Sequence, residues 1–440
     1  MLPYMCSALE HKPWKLEGAQ ERIEQYRKGD CELQLVLPDG SLLPKGTMID
    51  LKQTEHAFHF GGSFCQGRRL FSHKSFPKYS SYFADLFNYA TVGYYWVLHE
   101  RTPGTWKLDK NTEMVLQFAI DQGMRVRGHP LMWHNAIPEF IANSKLSAEQ
   151  LDPIINNHVR RLVRDYPQID EWDLYNEPPG IRLKEKSNGA RRWVEWQGGP
   201  NQMIERMVDT VRDVRPDGRF IVNHFSHSDK EYHELIDYLL DRDVSFDAIG
   251  IQAHMHTVKE IWGEKEMIKS LKRYSKYGKP LQITELSIAS TPHLEDWEEM
   301  QEWEKKRERN RRLSKKSTRE MEKYQAAYAR DFYTLAFSFP DIEAIVWWSV
   351  SDVDIWRGIP SGLVDEKGNP KPAYKVLDQL INEEWRTNLQ VPIDAQSRAA
   401  FRGFYGTYEV QVEHGGRTLK GAFDLEREQD GVVKVVLAGL

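Results

Sequence analysis

Cysteine is scarce in this 440-residue chain: there are three, Cys6, Cys31 and Cys65, odd in number and far apart. Such a set frames no disulfide scaffold and has no metal-ligand spacing. Long apolar runs are missing as well. No stretch reaches the roughly 18 apolar residues that a membrane span needs, and Met1 to Gln20 lacks the basic start and apolar segment of a secretory leader. The expectation is a cytoplasmic protein with reduced thiols, or a secreted one whose leader was removed. An excess of positive charge is also absent. The formal net charge is −5, which leaves nucleic acid without an electrostatic footprint. No glycine-rich dinucleotide turn follows the first extended run, no His-x-x-x-His pair marks a metal site, and no cofactor is implied. Oligomeric state is not legible.

What is present is a rhythm. Short apolar runs alternate with longer stretches of helical period. The runs are 58–61, 89–94, 125–133, 172–177, 220–224, 248–254, 281–286 and 344–350. Several are apolar without alternation, as parallel strands covered on both faces are. Eight strand–helix units predict an α/β fold, a (β/α)8 TIM barrel, with its active site at the C-terminal ends of the strands. An open doubly wound sheet is the alternative. The expected division is 1–54 (a helix and a β-hairpin), 55–386 (the barrel) and 387–440 (a linker and a small β-module). The outer segments share strand-like alternation, so they are expected to pair with each other in one additional module. Two stretches break the rhythm: 179–199, with Trp193 and Trp196, and 291–325, dense in Glu, Lys and Arg. The second reads as a long, exposed, solvated helix.

The strand ends are unusual. Trp172-Asp173-Leu174-Tyr175-Asn176-Glu177 stops at a polar pair before two prolines, which end a strand. Leu281-Gln282-Ile283-Thr284-Glu285 also stops at a polar–glutamate pair. Two strands that each deliver a carboxylate fit acid/base and nucleophilic work on a glycosidic bond. His129, Trp133 and His134 end the third run, Gln252 and His254 the sixth, and Trp348 the eighth. A metal site is the competing reading of such a set. The 14 tryptophans fit a dense core, or a cleft of flat rings on which the C–H faces of sugars stack.

Arg127-Gly128-His129-Pro130-Leu131-Met132-Trp133-His134, Trp172 to Glu177, Ile249 to His254 and Ile283 to Leu286, followed by Trp348-Ser349-Val350-Ser351-Asp352 and Trp356, resemble in order and spacing glycoside hydrolase family 10, the retaining endo-β-1,4-xylanases. The likeness runs from about Phe58 to Trp385. It implies a hydrolase acting on xylan or xylo-oligosaccharides. Glu177 resembles the acid/base and Glu285 the nucleophile. Asn176 would bind the sugar 2-hydroxyl and His254 would hold the nucleophile ionised. His129, Trp133, His134, Gln252, Trp348 and Trp356 would contact substrate. No metal is implied.

The departures are specific. The family's Glu-Asn pair and following lysine are missing from Ala90-Thr91-Val92-Gly93-Tyr94-Tyr95-Trp96, and Ser287 stands where an aspartate is common. The catalytic centre reads as intact and the non-reducing-side subsites as rebuilt, with Tyr94 and Tyr95 either supplying stacking and hydroxyl contacts to substrate or packing between barrel and helices. Another β-glycoside substrate, or a weakly catalytic carbohydrate-binding protein, therefore remains an alternative. For 400–440, with Phe401, Phe404, Tyr405 and Tyr408, glycan binding and docking onto the barrel both stay open.

Overall fold

The eight apolar runs are the eight strands of a closed parallel barrel. In the computed structural model, which describes residues 10–65, 70–428 and 431–439, two strands precede it in the chain, β1 (Lys28–Val36) and β2 (Met48–His56). The barrel itself is β3 (His59–Ser63), β4 (Tyr89–Gly93), β5 (Arg125–His129), β6 (Glu171–Asn176), β7 (Arg219–His224), β8 (Ala248–Met255), β9 (Leu281–Ile288) and β10 (Ile342–Trp347). Each strand neighbours the next in sequence, and β10 closes on β3. β6 and β9 are buried along their whole length, because barrel and helices cover both faces. Cys6 and the rest of the first nine residues lie outside the described residues.

Helices fill the intervals where the apolar period is helical. In Ala148–Asp165, Leu151, Ile155, Val159 and Leu162 form one buried stripe, and Ser147 caps the first turn in a capping box with Gln150. Close strand packing needs glycine at one point. A Cβ on Gly128 of β5 would lie 2.2 Å from the Trp172 ring, so only a bare backbone lets that indole lie across the neighbouring strand. The N-terminal end of the barrel is closed by a polar layer. Buried Glu171 accepts from Tyr89 (2.5 Å), Arg219 (2.9 Å) and Gln282 (3.1 Å), with Arg125 at 3.4 Å.

The chain divides into two compact units, one chiefly of 60–327 and 341–374, the other of 13–59, 328–340 and 375–440. The second holds two additional sheets. The segment expected to be a hairpin is not one: β1 and β2 lie in different sheets. The connection of residues 37–47 is too long for a tight hairpin turn. It is tied instead to Ser397, whose Oγ accepts from the Leu43 amide at 2.7 Å. The C-terminal segment supplies β11 (Asn388–Pro392), β12 (Arg398–Phe404), β13 (Gly406–His414), β14 (Arg417–Leu425), β15 (Val432–Val436) and the short β16 (Ala438–Gly439). The sheet orders are β12-β1-β15 and β11-β2-β13-β14-β16, so N- and C-terminal segments do pair. Leu33, Leu35, Ile49, Leu51, Val410 and Leu437 are among the residues of a shared core. Phe401, Phe404 and Tyr408 are buried within this unit, with Tyr408 stacked on Phe423 at 5.3 Å. They offer no exposed aromatic platform.

The charged stretch 291–325 also differs from expectation. It is broken into a helix over Trp297–Arg309, a connection, and the start of a second helix, Arg319–Ser338. Met300 is fully buried, in a cluster with Ala289, Leu294 and Ile359 against which Trp303 packs. Apolar residues spaced through the charges give the first helix an inner face that the charge count concealed.

Candidate active site

Polar side chains from the C-terminal ends of β5 to β9 meet in one cluster. Glu177 follows β6 with φ 57 and ψ 56, a left-handed conformation uncommon for a residue with a Cβ. Pro178 and Pro179 then open a 3-10 turn through Leu183. Three amides run from Glu177 to Glu285. Gln252 Nε2 lies 3.2 Å from Glu177 Oε1 and 3.3 Å from Asn176 Oδ1. Asn223 Nδ2 lies 3.0 Å from the same Asn176 oxygen and 2.9 Å from Glu285 Oε1. An ionised carboxylate only accepts, which fixes the Asn223 amide nitrogen toward Glu285. The Asn223 oxygen in turn accepts from the Thr284 hydroxyl at 2.7 Å.

The two carboxylates sit in different surroundings. Among the described residues, Glu177 accepts from two neutral donors, Gln252 and Trp133 Nε1 at 3.1 Å. Burial, and then the charge of Glu285, hold its pKa above the ordinary value. Glu285 is 4 % exposed. Its second oxygen meets His254 Nε2 at 3.1 Å. His254 Nδ1 is 2.8 Å from Ser287 Oγ, which is 2.9 Å from His256 Nε2. Burial first, and Arg357 next, keep His256 far below the usual histidine range and therefore neutral. A carboxylate only accepts, so His254 Nε2–H donates to Glu285, and the Ser287–His256 pair holds the ring from its Nδ1 side.

Behind this layer Asp173 accepts from Arg127 Nε at 3.1 Å and pairs with His129 Nδ1 at 2.5 Å. Burial works to raise the Asp173 pKa, but Arg127 and His129 outweigh it and the net shift is down. The His129 ring meets Tyr95 and Trp348 edge-on, at 5.7 and 5.3 Å. Tyr95 also lies 5.9 Å from Trp133. Trp356 lies 4.5 Å from the His254 ring. The aromatics expected at the site are thus brought together, with two refinements. Tyr94 is fully buried against Trp172 and Tyr166, so it packs between layers, and only Tyr95 of the pair faces the cluster. His134 is stacked on Tyr175 beside Gly180. Burial first, then Lys184 and His224, push its pKa down to about 3, so it is a neutral part of the wall.

Asn223, Asp173, Arg127 and His256 escaped the sequence reading. Asn223 had a signal: it is a polar residue at the end of an apolar run, as Asn176 is. Arg127 and Asp173 had another, because charges at the centres of two buried runs require each other. Among the described residues, no group of three His, Cys, Asp or Glu is placed to hold a metal ion, and no helix is long and apolar enough to cross a membrane.

Comparison with known proteins gives a consistent picture. The profile of Glycosyl hydrolase family 10 matches residues 52–380. The chain is 26% identical over 286 residues to Endo-1,4-beta-xylanase B of Thermotoga neapolitana, covering 62% of this chain and 74% of that one. It is 24% identical over 410 residues to Anti-sigma-I factor RsgI6 of Acetivibrio thermocellus, covering 91% of this chain but spanning only 47% of that relative's length. The fold superposes on xylanase 10B from Thermotoga petrophila RKU-1, solved in complex with xylobiose, with TM-score 0.59 and 20% identity over 74% of this chain and 95% of that one.

Proposed function

The chain belongs to glycosyl hydrolase family 10, and from that premise we propose that it cleaves β-1,4-xylosidic bonds in xylan or xylo-oligosaccharides by double displacement, with retention. The observation that carries this reading is the contrast within the glutamate pair. Glu177 is held toward its protonated form, while Glu285 is fixed by Asn223 and His254, both donating. In the first half, Glu285 attacks the anomeric carbon while Glu177 gives its proton to the leaving oxygen. The glycosyl-enzyme then leaves Glu285 uncharged, so the repulsion that raised the Glu177 pKa disappears. Glu177 is now a carboxylate able to take a proton from water, and the attack of that water releases Glu285.

Asn176 uses its oxygen to bind Asn223 and Gln252, which leaves its amide nitrogen for the sugar 2-hydroxyl. His129, Trp133, Gln252, His254, Trp348, Trp356 and Tyr95 would line the sugar sites, with His134 supporting the wall from behind. The second unit is proposed as an accessory β-module.

One observation favours a second reading, the same chemistry on a different β-glycoside. Thr91 and Val92 are fully buried and Gly93 has no side chain. Tyr95 is therefore what this stretch presents to the cleft, and it changes which sugar hydroxyls can be met there. Product analysis on xylohexaose by mass spectrometry and anomeric NMR, for wild type and Glu285→Ala, tests both. β-Anomers released first by the wild type and none by the variant are expected. A folded wild type that hydrolyses aryl β-glucosides but no xylo-oligosaccharide would replace the first reading with the second.

A further inference from the structure

The helix Trp297–Arg309, from the charged stretch after β9, makes several contacts to one residue of the loop after β10, Arg357. Along one face, Glu304 pairs with Arg357 Nε at 2.9 Å and Trp303 Nε1 donates to the Arg357 carbonyl at 2.7 Å. Buried Met300 anchors the same face. Trp297, Met300, Trp303 and Glu304 follow the spacing that places residues on one side of a helix. The helix start is fixed as well. Asp296 caps it by accepting from the Glu298 and Glu299 amides, and Lys259 holds that aspartate at 2.9 Å.

These anchors leave Trp297 half out. It is 49% exposed, although its ring is placed by Arg357, whose guanidinium carbon lies 5.0 Å from the Trp297 centroid. The same guanidinium lies 4.2 Å from the Trp356 ring, and Trp356 lies 4.5 Å from His254, which bonds Glu285. A ladder of indole, guanidinium and indole thus leads outward from the candidate nucleophile. Arg357 adopts φ 56, a left-handed conformation unfavourable for a residue with a Cβ, which the anchors on Glu304 and Trp303 help to hold. A large indole kept half in water forfeits part of the burial energy a core tryptophan would gain. The fold does not need that ring for anchoring, because Met300 and Trp303 already supply it.

We propose that Trp297 is an outer sugar-binding platform, held by Arg357, on which a pyranose ring of the bound β-1,4-linked chain stacks beyond the residues flanking the scissile bond. This rests on the reading of the cleft as a β-glycan site. The ligand class follows from position and chemistry. A polymer leaving the cleft past Trp356 presents alternating C–H faces, and an indole held in place by a guanidinium offers a flat, rigid partner to such a face.

The test is kcat/KM for Trp297→Ala and Trp297→Phe in the full chain, measured on an aryl β-xyloside and on xylobiose through xylohexaose. For the alanine variant, a loss that grows with chain length is expected, from less than about two-fold on the aryl xyloside to about ten-fold on xylohexaose. It should be borne mainly by KM, with phenylalanine restoring most of it. The same factor on every substrate would make Trp297 a packing residue, and no loss at any length would leave it without a role; either result overturns the proposal. A wild type that cleaves a different β-glycan series overturns the xylan reading instead, and the length dependence is then read on that series.

Discussion

Strand β6 and the residue after it compare two ends of one barrel. At the N-terminal end, Glu171 is fully buried and accepts from Arg219, Gln282 and Tyr89. At the C-terminal end, among the described residues, Glu177 accepts from a glutamine and a tryptophan, with a second carboxylate nearby. Asp173 lies between them, locked by Arg127 and His129. The difference teaches that burial of a carboxylate does not define a reactive group. With cations around it, a buried carboxylate is a fastening; with neutral donors and a like charge, it becomes an acid poised to release a proton.

The comparison is broken most directly by isosteric changes at both ends. Glu177→Gln removes the proton donor while keeping shape, and should lower kcat about 10³-fold on substrates with poor leaving groups, less on activated aryl glycosides. Its melting temperature should stay near wild type. Glu171→Gln should do the reverse. It takes the buried anion away from Arg125 and Arg219, with Glu343 still paired to Arg219, which costs about 2 kcal/mol of stability in denaturant unfolding, with kcat nearly unchanged. If Glu171→Gln abolished activity at full stability, the two ends would not differ as argued.

A smaller effect sharpens the account of Glu285. Ser287→Ala removes the group that presents a hydroxyl to His254 Nδ1. His254 can then turn or exchange tautomers, and kcat should fall about ten-fold. Ser287→Thr should recover much of the loss, since its hydroxyl can still donate to Nδ1. Recovery by threonine but not by alanine separates orientation from packing, and steady-state kinetics of the two variants checks it.

The charge coupling has a definite sign. Glu177 acts protonated, so kcat/KM should fall as pH rises through its raised pKa, above the ordinary carboxylate range. The same shift means that the folded state holds a proton the unfolded state has lost between those two values. Stability from this group therefore declines as pH rises across that window. Glu285→Gln removes the like charge and should bring the Glu177 pKa down, with burial still holding it above the ordinary value. A carboxyl ¹³C NMR titration reads this directly, and an unchanged titration would mean that Glu285 is not felt at Glu177.

The barrel was legible because its strands are apolar on both faces and recur with helical intervals, a period that needs no tertiary knowledge. Glu177 and Glu285 were legible because a charged residue ending a buried run contradicts its surroundings. Asn223 and His256 were not, since their roles come from crossing strands: Asn223 matters because β6 and β9 each bring an atom to it. The two sheets of β1 and β2 were hidden for a similar reason. Alternation marks a strand but not its partner, and Pro38-Asp39-Gly40 imitates a hairpin turn. The helix from Trp297 was masked by its charge, because Met300 and Trp303 contribute too little to an otherwise polar stretch.

The finest test of the contrast between wall and site uses two glycines. At Gly128 an added Cβ meets the Trp172 ring at 2.2 Å; at Gly250 it meets Asn223 Oδ1 at 2.7 Å and the Thr284 methyl at 2.9 Å. The first position presses on packing and the second on the amide that grips Glu285. Gly128→Ala should therefore cost about 3 kcal/mol of stability with kcat nearly unchanged in the fraction that folds. Gly250→Ala should cost only about 1 kcal/mol, because a side-chain amide yields more easily than an indole wedged between strands. Yielding there moves Asn223 off Glu285, so kcat should drop a few-fold at full occupancy of the folded state. Unfolding curves paired with active-site-normalised rates measure both. Equal catalytic losses in the two variants would mean that Asn223 positions nothing which the barrel wall does not position equally well.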